Sequence, residues 1–353
     1  MTSLQERYQA TLIGCALGDT LGMPVEIWKP AQIKKYVPGG KIVKPIDPFY
    51  VRDERDRIIA KDEHGPLKYW GICSGFKKGD WTDDTILSFA VAEGLAEKGF
   101  DIVHQAKKHL AAFEAHRRED GSVGGGFGGT TRDALERIKA GISPYESGVI
   151  GGPGNAPAMK HGPIGLAMKA SGKIIEGLDF ANLLGRMTHL DPRSVVSGVV
   201  QAHAVYDLLS DVSRESFLTN CYGISQHYEA PLTPQYKGYE KGTLTEKLKW
   251  VYENRDRTSE EAHTYLGSSS AVFSSYPFAL FMFQKYWDDP LKGLLETVNY
   301  GGDCDTTGAI FGTLAGARHG LSIFPKEWIA VTKDVPKLRA VADTLYAQTQ
   351  ERT

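Results

Sequence analysis

The chain has 353 residues, with 41 Lys plus Arg against 43 Asp plus Glu and a formal net charge of −2. That balance excludes a basic nucleic-acid-binding surface and an acidic solvating tail, and a hydrophobic share of 41% excludes a disordered chain. Glycine is in surplus, at 39 where a usual share of about 7% would give roughly 25; without a three-residue period this is not collagen, so the placing of the glycines carries the information.

In chain order, residues 4–22 set Leu12, Ile13, Ala16, Leu17 and Leu21 at helical spacing. Leu12-Ile13-Gly14-Cys15 has the outline of a lipoprotein cleavage site, but Glu6 against Arg7 and a short apolar stretch supply neither a basic nor a hydrophobic signal region. The stretch 29–80 is rich in Pro, Gly and charge and reads as an irregular excursion. Ile42-Val43 and Arg57-Ile58-Ile59 are expected there as two short strands of a surface hairpin. Helices are predicted over 84–98, 101–117 and 132–140, the first and last stopped by Gly99 and Gly141. His104, His109 and His116 are expected on a solvated face of the middle one. Asp191-Pro192 and Asp289-Pro290 are helix starts, each an N-cap followed by proline at the first helical position. The first opens a helix striped by Val195, Val196, Val199, Ala202, His203 and Tyr206, where His203 reads as structural. Residues 243–255, 266–287, 305–319 and 326–348 also read as helices. The most apolar window, 271–283, is too short to span a membrane and carries Ser274, Ser275 and Tyr276. Cys15, Cys73, Cys221 and Cys304 form no CxxC pair, so neither a zinc knuckle nor a disulfide framework is indicated, and a cytoplasmic setting is expected. The expected architecture is all-α, one domain over 1–353 with 29–80 as an insertion or lid-like segment.

Two acidic motifs stand directly before predicted helices: Trp81-Thr82-Asp83-Asp84-Thr85 and Gly301-Gly302-Asp303-Cys304-Asp305-Thr306-Thr307. Helix capping accounts for one or two such residues per helix. It does not ask for the same carboxylate and hydroxyl set twice. Brought together, the acids would repel unless a cation lay between them, and an all-oxygen set suits Mg²⁺, Mn²⁺ or Ca²⁺ rather than zinc. Cys304, between two acids, reads as a bystander. Gly14, Gly18 and Gly22 recur on one face of the first helix, and Gly308, Gly312 and Gly316 do so after the second motif. Each glycine costs a helix about 1 kcal/mol relative to alanine, so two such ladders imply close backbone packing. They are expected to bring Asp19 and Glu26 towards Asp303 and Asp305.

Two glycine-rich loops, 121–131 and 148–160, run into predicted helices. Such loops offer backbone N–H groups to anions, although neither has the Walker or Rossmann pattern. His189 lies in a turn before a helix start, where it can reach a ligand.

Together these stretches resemble the ADP-ribosylglycohydrolase family: GCALGDTLGMPVE at 14–26, WTDDT at 81–85, GNAPAMKHGPIGL at 154–166, THLDP at 188–192 and GGDCDTTGAIFGTLAGA at 301–317, in family order across nearly the whole chain. The resemblance implies a compact, multi-helix orthogonal bundle with two Mg²⁺ or Mn²⁺ ions in a central cleft. It implies hydrolysis at the anomeric carbon of the distal ribose, freeing ADP-ribose from a modified protein or other acceptor, a nucleic acid only where that is the acceptor. It makes Thr82, Asp83, Asp84, Asp303, Asp305 and Thr306 metal ligands and Glu26 an acid beside the metals, catalytic with Asp303. Gly151, Gly152, Gly154, Asn155, Met159 and His189 match ligand-binding positions. The family loop usually reads GNGAAMR; here Pro157 and Lys160 depart from it, and Lys160 offers a phosphate charge without a bidentate fork. Gly126 stands near the place where arginine-linkage enzymes carry an Asp. A metal-dependent phosphohydrolase and a non-enzymatic ADP-ribose-binding relative are the alternatives.

Overall fold

The computed structural model describes residues 2–232 and 242–350. Among these, helix dominates. In chain order the helices are α1 (Leu4–Gly22), α2 (Pro30–Tyr36), α3 (Trp70–Cys73), α4 (Asp83–Lys98), α5 (Ile102–Glu114) and α6 (Gly129–Lys139), then α7 (Ala156–Lys160), α8 (Gly162–Ser171), α9 (Ile174–Arg186), α10 (Pro192–Leu209), α11 (Arg214–Glu229) and α12 (Leu244–Glu253). The chain continues through α13 (Ser259–Leu266), α14 (Val272–Lys285), α15 (Pro290–Asn299), α16 (Cys304–His319), α17 (Lys326–Val331) and α18 (Val335–Ala347). One two-residue ribbon, β1 (Lys61–Asp62) against β2 (Gly65–Pro66), is the sheet content among the described residues. The all-α expectation holds, and no described helix is long and apolar enough to cross a membrane.

The centre is the α1–α16 pair. Both helices are buried almost all round, as a helix enclosed by others must be. They run antiparallel, glycine against glycine: Gly14 faces Gly312, Gly18 faces Gly308, and Gly22 faces the Cys304–Asp305 peptide. A Cβ added at any of these would overlap the partner's backbone. The ladders thus trade helix propensity for backbone contact, as their spacing predicted. Around the pair pack α4, α8, α10, α14, α15 and α18.

The start signals act as expected. Asp191 caps α10 by accepting from Arg193 N–H, and Asp289 caps α15 by accepting from Lys292 N–H. Three expectations need correction. The helix over 266–287 starts later than expected: Gly267 at φ +74 closes α13, which ends at Leu266, and α14 begins only at Val272. The helix over 326–348 also breaks, at left-handed Asp334, with Pro336 in the first turn of α18. Ile42-Val43 is no hairpin strand: both backbone groups of Ile42 are taken by the Asn299 side chain, at 2.7 and 2.9 Å. Ile58 pairs with Arg52 instead. Cys15 lies buried inside α1, and the four cysteines are unpaired.

Candidate functional site

Asp19, in the last turn of α1, is fully buried and holds the first acidic motif from below. Its carboxylate accepts from Thr82 N–H at 2.9 Å, Thr85 N–H at 3.1 Å and Thr85 Oγ1 at 2.6 Å. Burial pushes it up to about 6 even so. Thr82 is the N-cap of α4: its hydroxyl accepts from Asp84 N–H and donates to Asp84 Oδ2 at 3.1 Å. Asp83 and Asp84 are thereby turned into a cavity. The ladder does not bring Asp19 into the cavity itself, since Asp19 is consumed in bonding this turn.

The second motif is held by backbone. After α1 the chain makes a short 3₁₀ turn, Met23–Val25, that ends at Glu26. Ile27 N–H donates to the Gly302 carbonyl at 2.6 Å, and Gly302 N–H returns to the Trp28 carbonyl at 2.8 Å. Asp303 N–H donates to the Ser268 carbonyl at 2.6 Å. Gly301 and Gly302 sit at φ +65 and +67, and a Cβ on either would strike backbone. Ile27, a β-branched residue at φ +69, is strained by this pinning. One carboxylate oxygen each from Glu26, Asp303 and Asp305 lies within 4.8 Å of the others. Thr306 and Asp84 line the same cavity, so the two motifs meet there.

All six ligand candidates are buried. Burial, then the neighbouring Asp303, Asp83 and Asp19, raise Glu26 well above the usual carboxylate range. Burial followed by Asp19, Asp83 and Asp303 does the same to Asp84, and burial followed by Glu26, Asp303 and Asp84 to Asp305. Asp83 is pushed up to about 7 by burial, Asp19 and Asp303. Glu26 Oε2 and Asp84 Oδ1 are buried without a hydrogen-bond partner. An all-oxygen set with orphaned acceptors and mutual repulsion fits a hard divalent cation.

The cavity, about 360 Å³, is lined by Glu26, Asp83, Asp84, Asp303, Asp305 and Thr306 on the acidic side and by both glycine loops. The first loop is anchored by Phe127, packed edge-on to Phe113 at 5.2 Å. It delivers Gly128–Thr131 to the cavity at the start of α6, which has no side-chain cap, leaving N–H groups for an anion. Gly126, at φ +100, lies against Asp83; a Cβ there would be 2.7 Å from Asp83 Oδ1 and on a backbone conformation that side chains rarely adopt. From the second loop Gly152, Gly154, Asn155 and Met159 line the cavity, as does His189. Gly151 instead packs on Thr130, locking one loop to the other. Asn155 also braces the acid cluster, since its Nδ2 donates to Asp303 Oδ2 at 2.7 Å and to Ser275 Oγ at 3.0 Å.

Sequence reasoning missed Trp70, Ser270 and Ala271, which also line the cavity. Trp70 comes from the 29–80 segment, and the other two from the break between α13 and α14. A glycine inside an apolar helical pattern was the available signal for that break. Two expectations are corrected here. Lys160 is not at the phosphate-facing surface; it is fully buried, with Nζ bonded to Thr188 Oγ1 at 3.3 Å. His109 is not solvated; it is fully buried, bonded to the Gln105 carbonyl and held well below the usual histidine range by burial and Lys160.

Comparison with known proteins gives a consistent result. The sequence profile of a family described as ADP-ribosylglycohydrolase matches residues 1–353. The ADP-ribosylhydrolase ARH3 of Homo sapiens is 26% identical over 351 residues, covering 91% of this chain and 88% of its own. The ADP-ribosyl-dinitrogen reductase glycohydrolase of Rhodospirillum rubrum is 26% identical over 331 residues, covering 93% and 90%. A solved ADP-ribosylglycohydrolase-related protein complex superposes with a TM-score of 0.70 at 26% identity, covering 99% of this chain and all of its counterpart.

Proposed function

The chain belongs to the ADP-ribosylglycohydrolase family, and from that premise we propose that it is a divalent-cation-dependent hydrolase acting at the anomeric carbon of the distal ribose, freeing ADP-ribose from a modified protein or other acceptor. The supporting observation is the meeting of Glu26 with both acidic motifs in one cavity that two glycine loops complete. Its unpaired thiols suit a reducing, cytoplasmic setting.

Thr82, Asp83, Asp84, Asp303, Asp305 and Thr306 would hold two Mg²⁺ or Mn²⁺ ions. When bound, such ions neutralise the acids, orient a sugar diol and lower the pKa of a water. The chain's own residues do the rest. Asn155 fixes the Asp303 carboxylate through its 2.7 Å bond, the start of α6 meets the pyrophosphate, and Gly152–Gly154 let backbone approach it. Carboxylates around the anomeric carbon stabilise an oxocarbenium-like transition state. Glu26, with Oε2 free of any partner, is the group assigned to move or position a proton. Trp70 is assigned to the acceptor side: its helix packs on the Met23–Val25 turn that leads to Glu26, with Gly71 against Met23. Gly126, at a positive φ that side chains rarely adopt, stands near the place of the Asp of the arginine-linkage enzymes, which favours an acceptor atom other than arginine.

The test is a panel of ADP-ribosylated arginine, serine and nucleic-acid substrates, with Mg²⁺ and with EDTA. Intact ADP-ribose released only with the cation is expected. Inorganic phosphate as product would indicate the phosphohydrolase, and ADP-ribose binding without turnover a non-enzymatic relative. Glu26→Gln should lower kcat about 10²–10⁴-fold while keeping ADP-ribose affinity; full activity in that variant would remove Glu26 from the mechanism.

A further inference from the structure

Behind the second glycine loop lies a buried polar chain that the proposed reaction does not use. Lys160, the last residue of α7, is fully buried with its Nζ 3.3 Å from Thr188 Oγ1. The Thr188 hydroxyl lies 2.9 Å from His189 Nδ1 and 3.4 Å from the Gly185 carbonyl. His189 lines the cavity although it is 2% exposed. Its Nε2 faces Gly154, where an added Cβ would lie 3.0 Å away. The other titratable groups felt by Lys160 and its neighbours are His109 and His161, both buried, and Asp83.

Proton counting along this chain leaves two arrangements: the Thr188 hydroxyl gives its proton to His189 Nδ1, or it gives it to the Gly185 carbonyl and accepts from the ring. Burial pushes Lys160 down to about 7, so at pH 6 it is chiefly an ammonium, which has donors and no acceptor, and Thr188 Oγ1 then accepts from it. The Gly185 carbonyl is 3.4 Å from the hydroxyl and already accepts from Thr188 N–H at 3.2 Å and His189 N–H at 2.9 Å, which favours giving the hydroxyl proton to His189 Nδ1 at 2.9 Å. In this arrangement the proton goes to His189 Nδ1, which is unprotonated. Burial, with Lys160 opposing a second charge, pushes His189 down to about 3, so the ring is neutral. Its one proton is left on Nε2.

We propose that Lys160 and Thr188 are positioning residues that hold His189 in the Nε2–H tautomer, a neutral donor aimed past Gly154 into the cavity. The buried lysine sets the direction of the threonine hydroxyl, and the hydroxyl sets the tautomer. A donor fixed this way suits an oxygen acceptor such as a phosphate or ribose oxygen. What it donates to rests on the ADP-ribosyl reading above; the tautomer does not.

The experiment uses the full chain with ¹⁵N-labelled histidine, read by NMR at pH 6, and ADP-ribose as the binding probe. Wild-type His189 should carry its proton on Nε2, with Nδ1 showing the shift of a bonded acceptor. Thr188→Val should move the Nδ1 signal and weaken ADP-ribose about tenfold, while Thr188→Ser keeps both. Lys160→Met should fold and move the Nδ1 signal in the same direction by less. A wild-type ring protonated on Nδ1, or an Nδ1 signal unmoved by Thr188→Val, would overturn the proposal. A Lys160→Met protein with both readouts unchanged would overturn the part given to Lys160. Wild-type protein that has the expected tautomer but binds no ADP-ribose would sink the functional reading and leave the positioning standing.

Discussion

The two acidic motifs share their residue types and both open a helix, yet they are built in opposite ways. The first hangs on side chains: Asp19 bonds the turn and Thr82 caps α4. The second hangs on backbone: Trp28, Ile27 and Ser268 clasp Gly302 and Asp303, and Asp303, though it stands at the N-cap of α16, makes no cap bond. Capping therefore accounts for Thr82 and leaves Asp303 unexplained except as a member of the acid cluster. Repeated composition pointed to a shared site, but the rigidity of each half comes from different chemistry.

Four changes would sharpen or break this contrast. The largest effect is expected on the backbone-built side. Gly302→Ala puts a Cβ into Ser268 at a left-handed φ and should lower stability by about 3 kcal/mol or more in denaturant titration; exposed Gly223, with open space around it, should accept alanine with a gain of about 0.5–1 kcal/mol. Asn155→Ala, which frees Asp303, should weaken Mg²⁺ by about 10–100-fold in calorimetric titration with little change in unfolding midpoint. A fall below twofold would mean that Asp303 needs no such clamp.

The third effect is pH dependence. Asp83 and Asp19 are raised to about 7 and about 6 from 3.8. A group raised on folding stabilises the folded chain below its unfolded pKa, and this is lost as pH rises through the folded value. In EDTA the melting temperature should therefore fall from about pH 4 to pH 7. With Mg²⁺ the fall should shrink, so the gap between the two curves widens with pH; a constant gap would refute a cation among these acids. The smallest effect separates the hydroxyls. Thr82→Val should lose about 1 kcal/mol of stability as a cap, and Thr306→Val, which caps nothing, should lose less. Equal stability losses would erase the asymmetry.

The helices and the acids are legible in the sequence because both are local: periodicity, Asp-Pro starts and glycine spacing are read over a few residues. The ladders are legible because glycine at every fourth helical position weakens a helix unless another backbone lies against it. What is not legible is long-range. Nothing near Asn155 signals its bond to Asp303 across 148 positions. The irregular 29–80 segment offers no periodicity from which to place Trp70. Lys160 reads as a surface charge because lysine usually is one, and only the packing of α7 buries it. The split at Gly267 is masked by the apolar run that follows, and with it go Ser270 and Ala271 in the cavity wall.

The ladder also sets when the protein can become itself. Gly14 needs Gly312, and Glu26 needs Asp303, so both the central seam and the acid cluster join segments nearly a chain length apart. Such pairings are slow to find, because a long loop must close before any contact rewards it. During synthesis α1, buried on almost every side in the finished molecule, must wait for α16 to emerge. Until then its glycine face is uncovered, and the acid cluster lacks Asp303, Asp305 and Thr306. The seam thus ties assembly of the acid cluster to a late, long-range step of folding.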